Sequence, residues 1–233
     1  MTKKTIICVK WGTKYSSHFV NVLRNMTKRN SITDHDFVCL TDDPRGLSAD
    51  IIVKPLPSLP LDGWWFKPCV FNRDLGLTGD VLYLDLDLVI CNNIDKLWTH
   101  WKDEFVIIRD FTRMQMPDWT KFNSSVFRFV AEDYYYLGDA FKLNHSAIIR
   151  NYRGDQDYLY AELKNKGKFW PDDWIRSYKW EMRDRSELTS VNGRRNFANK
   201  ANPKVEKNCC IAAFHGDPKP DVCMDPWIVE RWK

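Results

Sequence analysis

Apolar residues in this chain gather into short runs, separated by charged or proline-marked turns. Residues 6–10 read as a strand, 16–29 as a helix and 36–40 as a second strand closed by the turn Thr41-Asp42-Asp43-Pro44. Residues 51–54 form a short strand. The proline-rich stretch 55–60 then leads to a helix near 64–75, where Pro68 is tolerable only in the first turn. Val81-Leu82-Tyr83-Leu84 has no polar partner and reads as a strand buried on both faces. A strand at 88–91, a helix near 94–100, strands at 105–109 and 126–130, and helices at 133–143 and 155–165 follow, the last stopped by Gly167. Residues 211–214 are a late strand. Strands alternating with helices imply a mostly parallel sheet with right-handed crossovers. With no internal repeat and no long linker, the pattern describes one α/β domain over residues 1–233.

Asp85-Leu86-Asp87 follows directly on the buried run. Side chains repeat with period two in a strand, so the two carboxylates are expected on one side. Two like charges that close, at the edge of an apolar core, repel and lose hydration. A divalent cation removes both problems, and oxygen-rich sites suit Mg²⁺ or Mn²⁺, which bridge to substrate phosphates. Open α/β sheets also bind ligands at the carboxyl ends of their strands. A lone D-x-D is a weak pattern, and a solvated strand end explains it equally simply. The buried strand in front is what favours metal.

The 233 residues suit one well-buried domain, and hydrophobic and aromatic shares of 44% and 14% exclude a disordered chain. No apolar run approaches membrane-spanning length, and residues 6–9 are too brief for a signal-peptide core, so the chain, if complete, is expected in the cytosol. Seven cysteines without zinc-ribbon spacing read as reduced, mostly buried thiols. The net charge of +4 is uneven: residues 176–207 carry nine Lys/Arg against four Asp/Glu, a surplus of five that leaves the rest near −1. That stretch, with Arg183, Arg185, Arg194 and Arg195, reads as solvated surface or as a contact for a diphosphate or acidic glycan. No nucleic-acid-binding motif accompanies it.

His215 ends the late strand and opens His215-Gly216-Asp217-Pro218-Lys219-Pro220. Such a histidine is commonly structural, but one imidazole and one ammonium on a proline-braced loop also suit a metal–diphosphate site. Asp155-Gln156-Asp157 after Gly154 is explained locally as an acidic helix start, and Asn123-Ser124-Ser125 as a turn. Most of the eleven tryptophans, including the pair Trp64-Trp65, are expected to pack, with a few exposed faces free to stack on sugars.

Together these segments resemble the GT-A-fold (Rossmann-like) glycosyltransferases, most closely family 8, which includes glycogenin-like and lipopolysaccharide galactosyl- and glucosyltransferases. Residues 80–87 look like that family's D-x-D strand. Phe122-Asn123-Ser124-Ser125-Val126-Phe127 is similar to F-N-S-G-V, with Ser125 in place of Gly, and residues 154–159 to its D-Q-D segment. Phe214-His215-Gly216 with Lys219-Pro220 looks like the terminal H-x-x-G-x-x-K-P-W motif, two residues shorter and with Asp221 replacing Trp. The matches run in family order from about residue 5 to 220.

The resemblance implies a nucleotide-sugar donor, UDP-glucose or UDP-galactose first, a glycan or lipid-linked acceptor, and retention of configuration. It implies Asp85, Asp87 and His215 as ligands of Mn²⁺ or Mg²⁺. Lys219 with Gly216, and Lys67, are implied on the diphosphate, and Asn123 and Asp155 near the donor sugar. Val9, Lys10, Trp11 and Tyr15 are implied around the nucleobase. Gln156 and Asp157 are both candidates at the anomeric carbon, beside the possibility that the diphosphate itself guides the acceptor. The acceptor is expected over Trp170, Trp174, Tyr178, Trp180, Arg194 and Arg195. Two alternatives stay open: a haloacid-dehalogenase-type phosphohydrolase, since residues 85–89 also fit D-x-D-x-[TV], and a non-catalytic sugar-nucleotide-binding protein.

Overall fold

Among the described residues, ten short strands and five α-helices follow one another much as the apolar pattern predicts. The structure, a computed structural model, describes residues 3–182 and 205–233. The strands are β1 (Lys4–Lys10), β2 (Asp36–Thr41), β3 (Ile52–Pro55), β4 (Asp80–Leu84), β5 (Leu88–Ile90), β6 (Val106–Arg109), β7 (Phe122–Val130), β8 (Lys168–Phe169), β9 (Ile175–Ser177) and β10 (Ile211–Ala213). The helices are α1 (Ser17–Asn30), α2 (Lys96–Thr99), α3 (Ala131–Asn151), α4 (Asp155–Leu163) and α5 (Pro226–Arg231). Among the described residues, seven strands form a mostly parallel central sheet in the order β3-β2-β1-β4-β7-β6-β8. Only β7 runs against the other six. A smaller sheet orders β5-β10-β9.

The period of two sorts the central strands' side chains onto two faces. Ile6, Cys8, Leu82 and Leu84 pack with α1 and the small sheet, while Ile7, Val81 and Tyr83 pack with α3 and α4. All seven cysteines are free and buried, as expected from their apolar neighbours. No helix among the described residues is long and apolar enough to cross a membrane.

The helix expected near 64–75 is instead two 3-10 segments, Gly63–Phe71 and Arg73–Leu75. Pro68 lies inside the first, where its missing N–H and its ring oppose α-helical bonding. α3 runs on past the polar Asn144-His145-Ser146 to Asn151, because Ile148 still buries beneath it. Residues 123–125, expected as a turn, belong to β7. α3 presses on the 3-10 segment at Gly138, where an added Cβ would stand 2.5 Å from Phe71 O. Backbone yields less readily than a side chain, so Gly138→Ala is expected to cost about 1–3 kcal/mol. A melting temperature equal to wild type would show that the helix moves aside freely.

Candidate active site

The carboxyl ends of β1 and β4 meet the start of β7, which lies at the same edge because β7 runs backwards. With the first turn of α4 they enclose a cavity of ≈ 700 Å³. Val9, Trp11 and Tyr15 enter from the end of β1, Lys67 from the 3-10 segment, and Asp85 and Asp87 from the end of β4. Asp155 and Gln156 come from α4, and Lys219 from the loop after β10.

Only one of the two carboxylates reaches the cavity by the strand pleat. β4 stops at Leu84, Asp85 N makes one further bond to Ser125 O at 2.9 Å, and Leu86-Asp87 is a turn. Leu86 is buried in the core and Asp87 returns over the cavity. The period-two argument therefore places Asp85 correctly, and a turn places Asp87.

Beneath Asp85 lies a buried charge cluster. Lys67 Nζ is 3.0 Å from Asp85 Oδ1, 3.5 Å from Asp155 Oδ2 and 3.1 Å from Ser124 Oγ. Ser124 Oγ donates to Asp155 Oδ2 at 2.6 Å, and the Tyr83 hydroxyl donates to Asp85 Oδ1 at 2.6 Å. A bulge puts Ser124 there: Ile107 pairs with Phe127 but Ile108 with Asn123, so residues 124–126 fall outside the β6 register. Asp87 is held separately, by the Tyr15 hydroxyl at 2.9 Å and Lys219 Nζ at 2.5 Å, both on Oδ2.

Burial and charge pull these groups in opposite directions. Burial disfavours the Lys67 ammonium, yet Asp155 and Asp85 outweigh it and hold its pKa above the ordinary 10.5. Burial pushes the Asp155 carboxyl up in spite of Lys67 and Ser124. Burial, and then the charge of Asp85, push Asp87 up in spite of Lys219 and Tyr15. Burial and the Asp87 charge push the Tyr15 hydroxyl up as well.

Five other residues implied by the resemblance lie off the cavity lining. Lys10 is buried and turns its Nζ to Gly12 O and Asp43 O, at 3.5 and 3.4 Å, bracing the ends of β1 and β2. Asn123 Oδ1 accepts from Ser125 N at 3.0 Å. Asp157 pairs with Arg153 at 3.1 Å on the outer side of α4. Gly216 is exposed with φ of +74°. His215 has its Nε2 2.6 Å from Ser177 Oγ, its ring stacked on Phe111 and met edge-on by Trp180. Among the described residues, no three His, Cys, Asp or Glu side chains stand together as a metal-holding set. The donor chemistry of Asp85 and Asp87 still fits a hard divalent cation, since each carboxylate already draws an ammonium group to itself.

The expected acceptor surface is corrected at two residues, Trp170 and Tyr178. Trp170 and Tyr178 are each 2% exposed, and Trp174 and Trp180 pack half-buried against the same core. Trp170 and Tyr178 therefore offer no face to a sugar, whereas Trp174 and Trp180 keep part of theirs exposed. Arg183, Arg185, Arg194 and Arg195 lie outside the described residues.

Three further side chains, Tyr83, Ser124 and Asp110, shape the site without having been given a role from sequence. Tyr83 stands two before Asp85, so the strand period was its signal. Ser124 had only the bulge, which no local pattern announces. Gln156 Nε2 donates to Asp110 Oδ2 at 3.3 Å, while its Oε1 accepts from Ser124 N at 3.3 Å. Asp110 follows the end of β6, a strand-end carboxylate like Asp85. Trp64, singled out with Trp65 in the sequence, lines the cavity.

No protein-family model matches the chain, and no characterised protein matches it by sequence. Solved structures match its fold. An active-site mutant of LgtC superposes with TM-score 0.67 at 14% identity, over 97% of this chain and 93% of LgtC. The galactosyltransferase LgtC in complex with donor and acceptor sugar analogues gives 0.61 at 14%, over 93% and 88%. The glycosyltransferase GlyE of Streptococcus pneumoniae TIGR4 gives 0.57 at 14%, over 75% of this chain but 46% of GlyE. The fold is thus the α/β, GT-A-like fold of these glycosyltransferases, as the ordered motifs imply.

Proposed function

We propose that this protein is a metal-dependent glycosyltransferase that moves a hexose from a nucleotide-diphosphate sugar to a glycan or other hydroxyl acceptor, with retention. The observation that carries this reading is the strand-end cavity where Asp85, Asp87 and Asp155 meet Lys67 and Lys219, within a fold shared with LgtC over nearly its whole length. LgtC has been solved with donor and acceptor sugar analogues, which supports a cavity of this kind taking both substrates.

Breaking the bond from the anomeric carbon to phosphate leaves negative charge on the diphosphate and positive charge on the ring. Mn²⁺ or Mg²⁺, held by Asp85 and Asp87 with His215 as the ligand the resemblance adds, would supply Lewis-acid stabilisation of the leaving group. Lys219 adds positive charge beside the diphosphate. Lys67 acts at one remove, fixing the carboxylates of Asp85 and Asp155. Asp155 and Ser124 take sugar hydroxyls, and Gln156, tied at both ends, faces the reacting carbon in a fixed orientation. Val9, Trp11 and Tyr15 border the base.

The test is release of nucleoside diphosphate from a panel of nucleotide sugars with Mn²⁺ and added glycosides. Phosphate released from simple monoesters would instead favour a phosphohydrolase, and binding without turnover a sugar-nucleotide-binding protein. UDP is the expected nucleotide. At one hundred times its Kd it should stabilise the fold by about 2.7 kcal/mol, seen as a raised melting temperature. A larger shift with GDP or CDP overturns that choice of base.

A further inference from the structure

Adjacent indoles on the 3-10 segment have opposite fates. Trp65 is 8% exposed and stacks on Phe141, with centroids 6.3 Å apart and planes at 13°. Trp64 is 56% exposed and lines the cavity. An indole left that far in water forgoes the apolar burial its neighbour obtains. Trp101 is similarly exposed, but it stands away from the cavity and donates its Nε1 to Phe169 O. Among the described residues, no hydrogen-bond acceptor meets Nε1 of Trp64.

The position of Trp64 says which substrate it faces. A Cβ built on Gly154 would stand 3.2 Å from Trp64 Nε1, and Gly154 immediately precedes Asp155-Gln156. On the glycosyltransferase reading Asp155 and Gln156 mark the sugar end of the cavity and Asp87 and Lys219 the diphosphate end, so the indole borders the sugar end. A pyranose offers a face of C–H groups and a rim of hydroxyls, so it suits an aromatic face with acceptors beside it. Asp62 lines the cavity together with Trp64 and supplies such an acceptor.

We propose that Trp64 is the stacking platform for the terminal pyranose of the acceptor, an assignment that rests on the glycosyltransferase reading above. The indole sets acceptor affinity, and the donor nucleotide binds without it. Because Trp64 is mostly in solvent, Trp64→Ala removes little core packing, and its melting temperature checks that the fold is kept.

Labelled wild type, Trp64→Ala and Trp64→Phe are compared on an array of hexopyranosyl glycans in the presence of UDP and Mn²⁺, with UDP affinity measured separately by calorimetry. Trp64→Ala should weaken glycan binding by about ten-fold, Trp64→Phe should restore most of it, and UDP affinity should match wild type. Equal glycan binding by Trp64→Ala overturns the proposal, as does a wild type that retains no pyranoside. Joint loss of UDP affinity overturns it too, by assigning Trp64 to the donor. Absence of nucleoside diphosphate release from every nucleotide sugar would sink the transferase reading instead, and the array reads glycan binding independently of turnover.

Discussion

Asp87→Asn is expected to lower sugar transfer by about 10²–10³-fold while the protein stays folded. The substitution keeps the shape of the side chain and its oxygen for Tyr15 and Lys219, which now stand 2.9 and 2.5 Å from Asp87 Oδ2. What it removes is the negative charge that a divalent cation needs. Burial, followed by the charge of Asp85, holds this carboxyl above its ordinary 3.8. A cation binds the deprotonated form, so metal affinity is present above the raised pKa and lost as pH falls through it. The wild type should therefore begin to lose Mn²⁺ at a higher pH than an unperturbed carboxylate would. Calorimetric titrations from about pH 7 to about pH 4 measure this directly. An Asn variant with undiminished Mn²⁺ affinity, or transfer that ignores chelators, would move the metal site away from Asp87.

The contrast between Asp85 and Lys67 shows how far sequence reasoning reaches. Residues 81–84 announce a buried strand because nothing polar interrupts them, and every one of them is buried. Tyr83 and Asp85 then share a side by simple alternation. Asp87 arrives by a turn, which periodicity does not describe, yet its spacing to Asp85 kept it in view. Lys67 was marked for the diphosphate, and its partners, Asp85, Asp155 and Ser124, come from three distant segments. Such a cluster exists only after β7 bulges and α4 docks. Arg128 is a similar case: it lies in an apolar strand pattern, fully buried, and donates to the carbonyls of Leu97 and Trp98 at 2.9 and 2.7 Å. Local pattern also overstated two features. Trp170 and Tyr178 had the composition of a sugar platform, but composition does not distinguish an indole facing a cavity from one facing a core. The segment 64–75 had helical length and apolarity, but Pro68 tightened it into 3-10 turns, and that geometry separates Trp64 from Trp65.

Lys67→Met is the substitution expected to cost the fold most, about 3–5 kcal/mol. The methionine fills similar volume, so the loss comes from charge and not from a cavity. Without the ammonium, Asp155 and Asp85 face each other in a place where Lys67 and Asp155 have side chains only 9% and 7% exposed. Asp155 already has its carboxyl pushed above 3.8 by burial, even with Lys67 beside it. A group whose folded pKa is raised favours folding below that pKa, and this contribution disappears as pH rises through it. The deficit of Lys67→Met should thus be largest near neutrality and shrink as acid protonates Asp155, which then needs no counter-charge. Neutralising the partner makes the same point: Lys67→Met with Asp155→Asn should recover part of the lost stability, a non-additive result expected of groups in direct contact. Urea unfolding of the four proteins, wild type included, supplies the cycle. Strictly additive losses, or a Lys67→Met deficit independent of pH, would mean that Lys67 stabilises the fold through its packing and not through the two carboxylates.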